Sequence, residues 1–153
     1  MADEKNRFLD ELSRRFGQLR RLPGSQSLYA VTDDSIRVYI RYSKVHNTLK
    51  TFYGLRSVDL HTLEGRQSFL CFLWNDQPEP LIVPYEDFED VFQATSPASD
   101  GQYKALVYLQ DEGFELYIAQ AGKFNVSAYL GWESITRAIE PHSADLVPAL
   151  SHT

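Results

Sequence analysis

Ile36-Arg37-Val38-Tyr39-Ile40-Arg41-Tyr42 alternates aliphatic residues with basic and aromatic ones. Successive side chains of a strand point to opposite faces, so Ile36, Val38, Ile40 and Tyr42 are predicted to share a core face. Arg37, Tyr39 and Arg41 then form the other face of a half-buried strand. Asp33-Asp34 ahead of it is a turn signal, and the same period begins near Leu28.

The strand pattern continues downstream. Leu49 to Tyr53 is predicted as a second aromatic strand, ended by Gly54. Ser57 to Leu63 reads as a short helix, with Ser57 as its N-cap and Gly65 as its stop. Ser68 to Trp74 is apolar at almost every position, the mark of a central strand covered on both faces. Leu81-Ile82-Val83 follows, and the flanking Pro80 and Pro84 place it at a sheet edge. Glu86 to Phe92 has helical spacing, and Thr95 to Gly101 is a loop. Tyr103 to Leu109 and Phe114 to Ala119 pair as a hairpin turning at Asp111-Glu112-Gly113. Asn125 to Gly131 reads as irregular, and Trp132 to Ile139 as a last short helix.

Upstream, the period is helical. Phe8, Leu12, Phe16 and Leu19 form one stripe, with acids toward the start and arginines toward the end. Pro23-Gly24 is the predicted stop. Arg7, Arg14 and Arg21 then fall on one helix face.

These elements predict an α+β fold. A curved, mainly antiparallel sheet of six or seven strands carries the long N-terminal helix on one face, with a partly closed barrel as the variant. The expected single domain spans 1–140. Residues 141–153 read as a poorly ordered tail or the start of a linker.

The chain has 153 residues, one cysteine and a formal net charge of −6. That length supports one core. A lone Cys71 excludes an internal disulfide framework and a Cys-rich zinc site. No apolar run approaches the roughly 20 residues of a membrane span. The charged start, Ala2-Asp3-Glu4-Lys5, has no apolar leader core, so the expected location is cytoplasmic.

Catalytic signatures are sparse. No Gly-rich phosphate loop and no His pair at metal-binding helical spacing occurs. Cys71 lies in the most apolar strand, which suits a packed thiol rather than a nucleophile. Asp59 and His61 are two apart on a helix and point away from each other. Glu86, Asp87, Glu89 and Asp90 suit a helix start. No catalytic residue, metal or cofactor is expected.

The net acidity hides a basic segment. Between Ser35 and Arg66 six bases face two acids, a local charge of +4, so the rest of the chain carries −10. Arg37, Arg41, Lys44, Lys50 and Arg56 suit phosphate contacts, and Tyr39, Tyr42, His46 and Tyr53 suit bases or sugars. Asn47 adds a base-edge donor in the loop, and Lys104 extends the patch if the hairpin lies beside it. The same residues also fit a solvated strand face or an acidic protein partner.

Arg37 to Lys44, Thr51 to Arg56, Phe69 to Trp74 and Ile82 to Tyr85 together resemble phrases of a bacterial family. Its members are N-terminal target-recognition domains of restriction-type proteins, often followed by an HNH metal-finger nuclease domain. The resemblance implies a non-catalytic DNA-recognition module of a restriction or phage-defence system, acting on modified or plain DNA. A nuclease domain or another protein is then the expected companion. The alternative is a protein-interaction or assembly module with no nucleic-acid role, docking through the edge near Leu81 to Val83 or through the arginine ridge.

Overall fold

The computed structural model describes residues 2–45 and 49–139. Helix α1 (Ala2–Phe16) leads into β1 (Leu19–Arg21), β2 (Leu28–Val31), β3 (Ile36–Ser43) and β4 (Lys50–Arg56). Then come α2 (Ser57–His61), β5 (Ser68–Trp74), β6 (Leu81–Pro84) and α3 (Glu89–Gln93). Strands β7 (Gln102–Gln110), β8 (Gly113–Ile118) and β9 (Gly122–Asn125) precede α4 (Glu133–Ile139). The α+β class holds.

The strands divide between two sheets. The first has the order β1-β2-β3-β5-β6 and the second β4-β7-β8-β9. Every pairing is antiparallel except β3 with β5, which run parallel from Arg37 opposite Ser68 to Ser43 opposite Trp74. A parallel pair needs a crossover, and β4 with α2 supplies it. All seven residues of β5 are buried, as expected for the strand between β3 and β6.

The two sheets pack face to face. Leu28, Tyr39, Leu70, Phe72, Leu81 and Val83 of the first meet Tyr53, Leu55, Ala105, Val107, Leu116 and Ile118 of the second. The other face of the first sheet is covered by helices. Phe8 and Leu12 of α1 and Ile135 of α4 pack on Val38, Ile40, Phe69, Cys71 and Leu73. Trp132 stacks on Phe8 at 4.9 Å and joins the two helices. Each fully buried side chain such as Leu12 contributes about 1.5–3 kcal/mol. The other face of the second sheet has no helix on it among the described residues.

Several sequence expectations change. Helix α1 stops at Phe16, not at Pro23, because Gly17 takes φ +117°, a left-handed conformation that glycine tolerates. A Cβ there would stand 2.7 Å from Thr32 Oγ1, and that hydroxyl donates to the Phe16 carbonyl at 2.5 Å. Leu19–Arg21 is thereby released to pair with β2. Arg21 leaves the helix, and the ridge of Arg7, Arg14 and Arg21 does not form.

Gly54 does not end β4. It lies inside the strand, paired with Lys104, and the Gln102 side chain fills the space a Cβ would need. The helix expected over Glu86 to Phe92 is a 3-10 turn and then α3, broken at Phe88 where φ is −124°. Gly122–Asn125, a segment not predicted as a strand, forms the outer strand of the second sheet as β9, so that Asn125 belongs to a strand rather than to the irregular stretch. Neither sheet closes into a barrel. The tail from 141 lies outside the described residues.

Candidate nucleic-acid interface

The Arg37-Tyr39-Arg41 face of β3 turns toward the second sheet rather than toward solvent. Tyr39 is fully buried, and its hydroxyl accepts the backbone N–H of Arg56 at 3.0 Å. Burial raises its pKa well above the ordinary phenol value. Four residues on, Ser43 Oγ accepts the N–H of Phe52 at 3.1 Å. These two hydroxyls occupy donors on the otherwise free edge of β4 and tie the sheets together.

Arg37 is equally committed. Its guanidinium donates to both Asp34 carboxylate oxygens at 2.9 Å and to the Thr62 carbonyl at 2.8 Å. Arg66 pairs with the same Asp34 at 2.8 Å. The need is local: Thr32, Asp33 and Asp34 all have φ between 48° and 63°, a turn that L-residues adopt at a cost. Arg37 pins that turn. Tyr53 is buried too, its hydroxyl donating to the Leu73 carbonyl at 2.9 Å. The expectation that Tyr39 and Tyr53 present stacking surfaces is corrected: both rings are core. Tyr42 lies half-buried against the α1 side of the first sheet, and Lys44 is exposed at the strand end. His46 and Asn47 lie outside the described residues.

Three of the predicted residues do share a face. Register places Lys50, Arg56 and Lys104 on the uncovered outer face of the second sheet. Residues directly opposite in antiparallel strands share a face. One row across the sheet is therefore Phe52, Leu106, Tyr117 and Lys123. The next is Lys50, Tyr108, Glu115 and Asn125. Phe52 is 49% exposed, unusual for a phenylalanine in the middle of a strand. Lys123 Nζ stands over the Tyr108 ring at 4.5 Å.

By register the face carries three aromatic rings and four cations, Lys50, Arg56, Lys104 and Lys123, with the carboxylate Glu115 among them and Asp59 paired to Arg56 at the margin. Lys104 also reaches Asp100 at the sheet margin, at 2.7 Å, and that contact lowers the Asp100 pKa. Tyr108 and Tyr117 escaped the sequence reading. The signal was present: if Tyr103, Ala105, Val107 and Leu109 point inward, then Lys104, Leu106 and Tyr108 point outward.

Other candidates resolve into packing. Cys71 is buried, which pushes its thiol pKa up and makes it unreactive. Asp87 accepts the Tyr129 hydroxyl at 2.5 Å, which pushes that phenol up to about 12. His61 Nδ1 contacts Glu64 at 3.0 Å. Among the described residues no group of three or more His, Cys, Asp and Glu is placed to hold a metal ion. No helix among them is long and apolar enough to cross a membrane.

Comparison of the chain with protein-family models, with curated proteins and with solved structures finds no match.

Proposed function

We propose that the chain is a DNA-recognition module whose reading surface is the outer face of the second sheet. The observation that carries this reading is the row Phe52, Leu106, Tyr117 and Lys123, flanked by Tyr108 and three further cations. Aromatic rings on a sheet face stack on bases that have left the duplex, at about 1–3 kcal/mol per base. The lysines and Arg56 hold the phosphates between stacked bases. The bound element is accordingly an unpaired or locally opened strand. The setting implied by the sequence resemblance, a restriction or phage-defence system with a partner nuclease, belongs to the same proposal.

An overall charge of −6 limits nonspecific binding, so affinity concentrates on this face. The assembly alternative has less to stand on. The edge of β6 is partly covered: Leu81 bridges Leu130, and the Gly131 N–H donates to the Pro80 carbonyl at 2.7 Å.

Fluorescence anisotropy with labelled single-stranded and duplex oligonucleotides tests the reading. The expected result is salt-dependent binding that prefers the single strand and is lost in the double variant Tyr108→Ala/Lys123→Ala. Binding that is absent at low salt, or indifferent to that variant, overturns it.

A further inference from the structure

A polar cleft of about 500 Å³ opens between the β1–β2 turn, the end of β3 and the junction of β4 with α2. Lys5, Arg21, Arg41 and Arg56 line it, with Asp59 as the acid. Three of the cations hydrogen-bond neutral oxygens. Lys5 Nζ donates to the Gln26 carbonyl at 2.6 Å, Arg21 to the Ser25 carbonyl at 3.2 Å, and Arg41 to Ser27 Oγ at 3.0 Å. Their positive charge is thus oriented but not neutralised by these contacts. Such a cluster in a recess attracts a phosphate, which guanidinium groups grip with two parallel bonds.

Asp59 makes the cleft more than an anion trap. The residue is 3% exposed, and among the described residues its Oδ2 has no hydrogen-bond partner. Arg56 Nη1 forms a long ion pair with that oxygen at 3.7 Å, and the Tyr39 hydroxyl is a hydrogen-bond partner of the carboxyl. A buried carboxylate oxygen held only by a long ion pair is incompletely satisfied, and it repels a bare anion. It suits a ligand that brings both an anionic group and an N–H or O–H donor.

We propose that this cleft binds a nucleoside phosphate, the phosphate on Arg21, Arg41 and Lys5 and a base or sugar donor on Asp59. It is a site apart from the sheet face, sharing Arg56 alone. A free nucleotide and the 5′-phosphorylated end of a strand carry the same chemistry.

Isothermal titration of the full chain with deoxynucleoside 5′-monophosphates, the matching nucleosides and inorganic phosphate tests the site. The monophosphates are expected to bind about tenfold more tightly than phosphate, the value of one hydrogen bond to a charged acceptor. Nucleosides are expected to bind weakest. Asp59→Ala moves the two affinities in opposite directions, weakening the monophosphate and strengthening phosphate. Arg41→Ala, a part-exposed position that leaves the core intact, weakens both. Preference for a 5′-phosphorylated oligonucleotide over its 5′-hydroxyl twin, beyond the mononucleotide's own affinity, assigns the ligand to a strand end. Equal affinities assign it to the free nucleotide. The proposal falls if monophosphates bind no better than phosphate, or if Asp59→Ala changes both alike. Tyr108→Ala/Lys123→Ala leaves mononucleotide binding unchanged, so failure of the sheet-face reading is seen separately.

Discussion

The Tyr39 hydroxyl accepts the backbone N–H of Arg56 at 3.0 Å, joining the centre of the first sheet to the edge of the second. Phenylalanine in that place keeps the ring and removes the acceptor. Tyr39→Phe leaves the Arg56 N–H without its partner and is expected to destabilise the fold by about 1 kcal/mol, the low end for a part-buried donor. Urea denaturation measures this. Because Ser43 makes the parallel contact to Phe52, Ser43→Ala/Tyr39→Phe is expected to cost more than either alone. No loss in either variant would show that the joint is held by packing alone.

The same contact marks what the sequence could and could not disclose. Alternation of Ile36, Val38 and Ile40 correctly named the face that packs under α1. It could not say whether Arg37, Tyr39 and Arg41 meet water or a second sheet, because both surroundings accept arginine and tyrosine. The deciding fact is non-local: β4 arrives beside β3 with an unpaired edge, and phenol and seryl hydroxyls satisfy it. Gly17 was legible as a helix stop, but the apolar Leu19, three residues after Phe16, extended the stripe and masked it. The outer face of the hairpin followed from parity once the inner face was read. Its union with Lys50 and Phe52 needed the β4–β7 pairing, separated by some fifty residues in the chain.

Arg37, and with it Arg66, holds the Asp34 carboxyl below the usual carboxylate range, chiefly through the Arg37 hydrogen bonds, while partial burial opposes the shift. A lowered native pKa means stability that is fully present above the unfolded value of about 3.9 and lost as pH falls through the lower native one. Asp34→Asn keeps a residue that tolerates the left-handed turn and removes the charge. The stability gap between wild type and this variant is expected to be constant near neutral pH and to shrink below about pH 4. Denaturation midpoints across that range decide it. A gap unchanged at low pH would mean that the pair contributes nothing through its charge.

Gly17 ends α1 with φ +117° and with Thr32 Oγ1 closing over the position. Gly17→Ala adds backbone strain and a Cβ contact shorter than side chains tolerate. The expected cost is about 1–3 kcal/mol, read from thermal or urea unfolding. Gly65→Ala, also at positive φ but with open space around the Cβ, isolates the backbone share and is expected to cost less. Equal losses at the two sites would remove the Thr32 contact from the account.

Phe52 and Tyr53 are neighbours in sequence on opposite faces of β4, one 49% exposed and the other 2%. They should therefore separate binding from stability. Phe52→Ala removes a ring that the fold does not bury, so its stability change is expected within about 0.5 kcal/mol. If the ring stacks on a base, the same change weakens oligonucleotide binding by about 1–3 kcal/mol, a factor of roughly five to more than a hundred. Tyr53→Phe does the reverse. It strands the Leu73 carbonyl in the core at a cost of about 1 kcal/mol and leaves affinity unchanged. Paired urea titrations and anisotropy measurements on both variants give four numbers. A Phe52→Ala variant that binds like wild type would remove the aromatic row as the reading surface, whatever its stability.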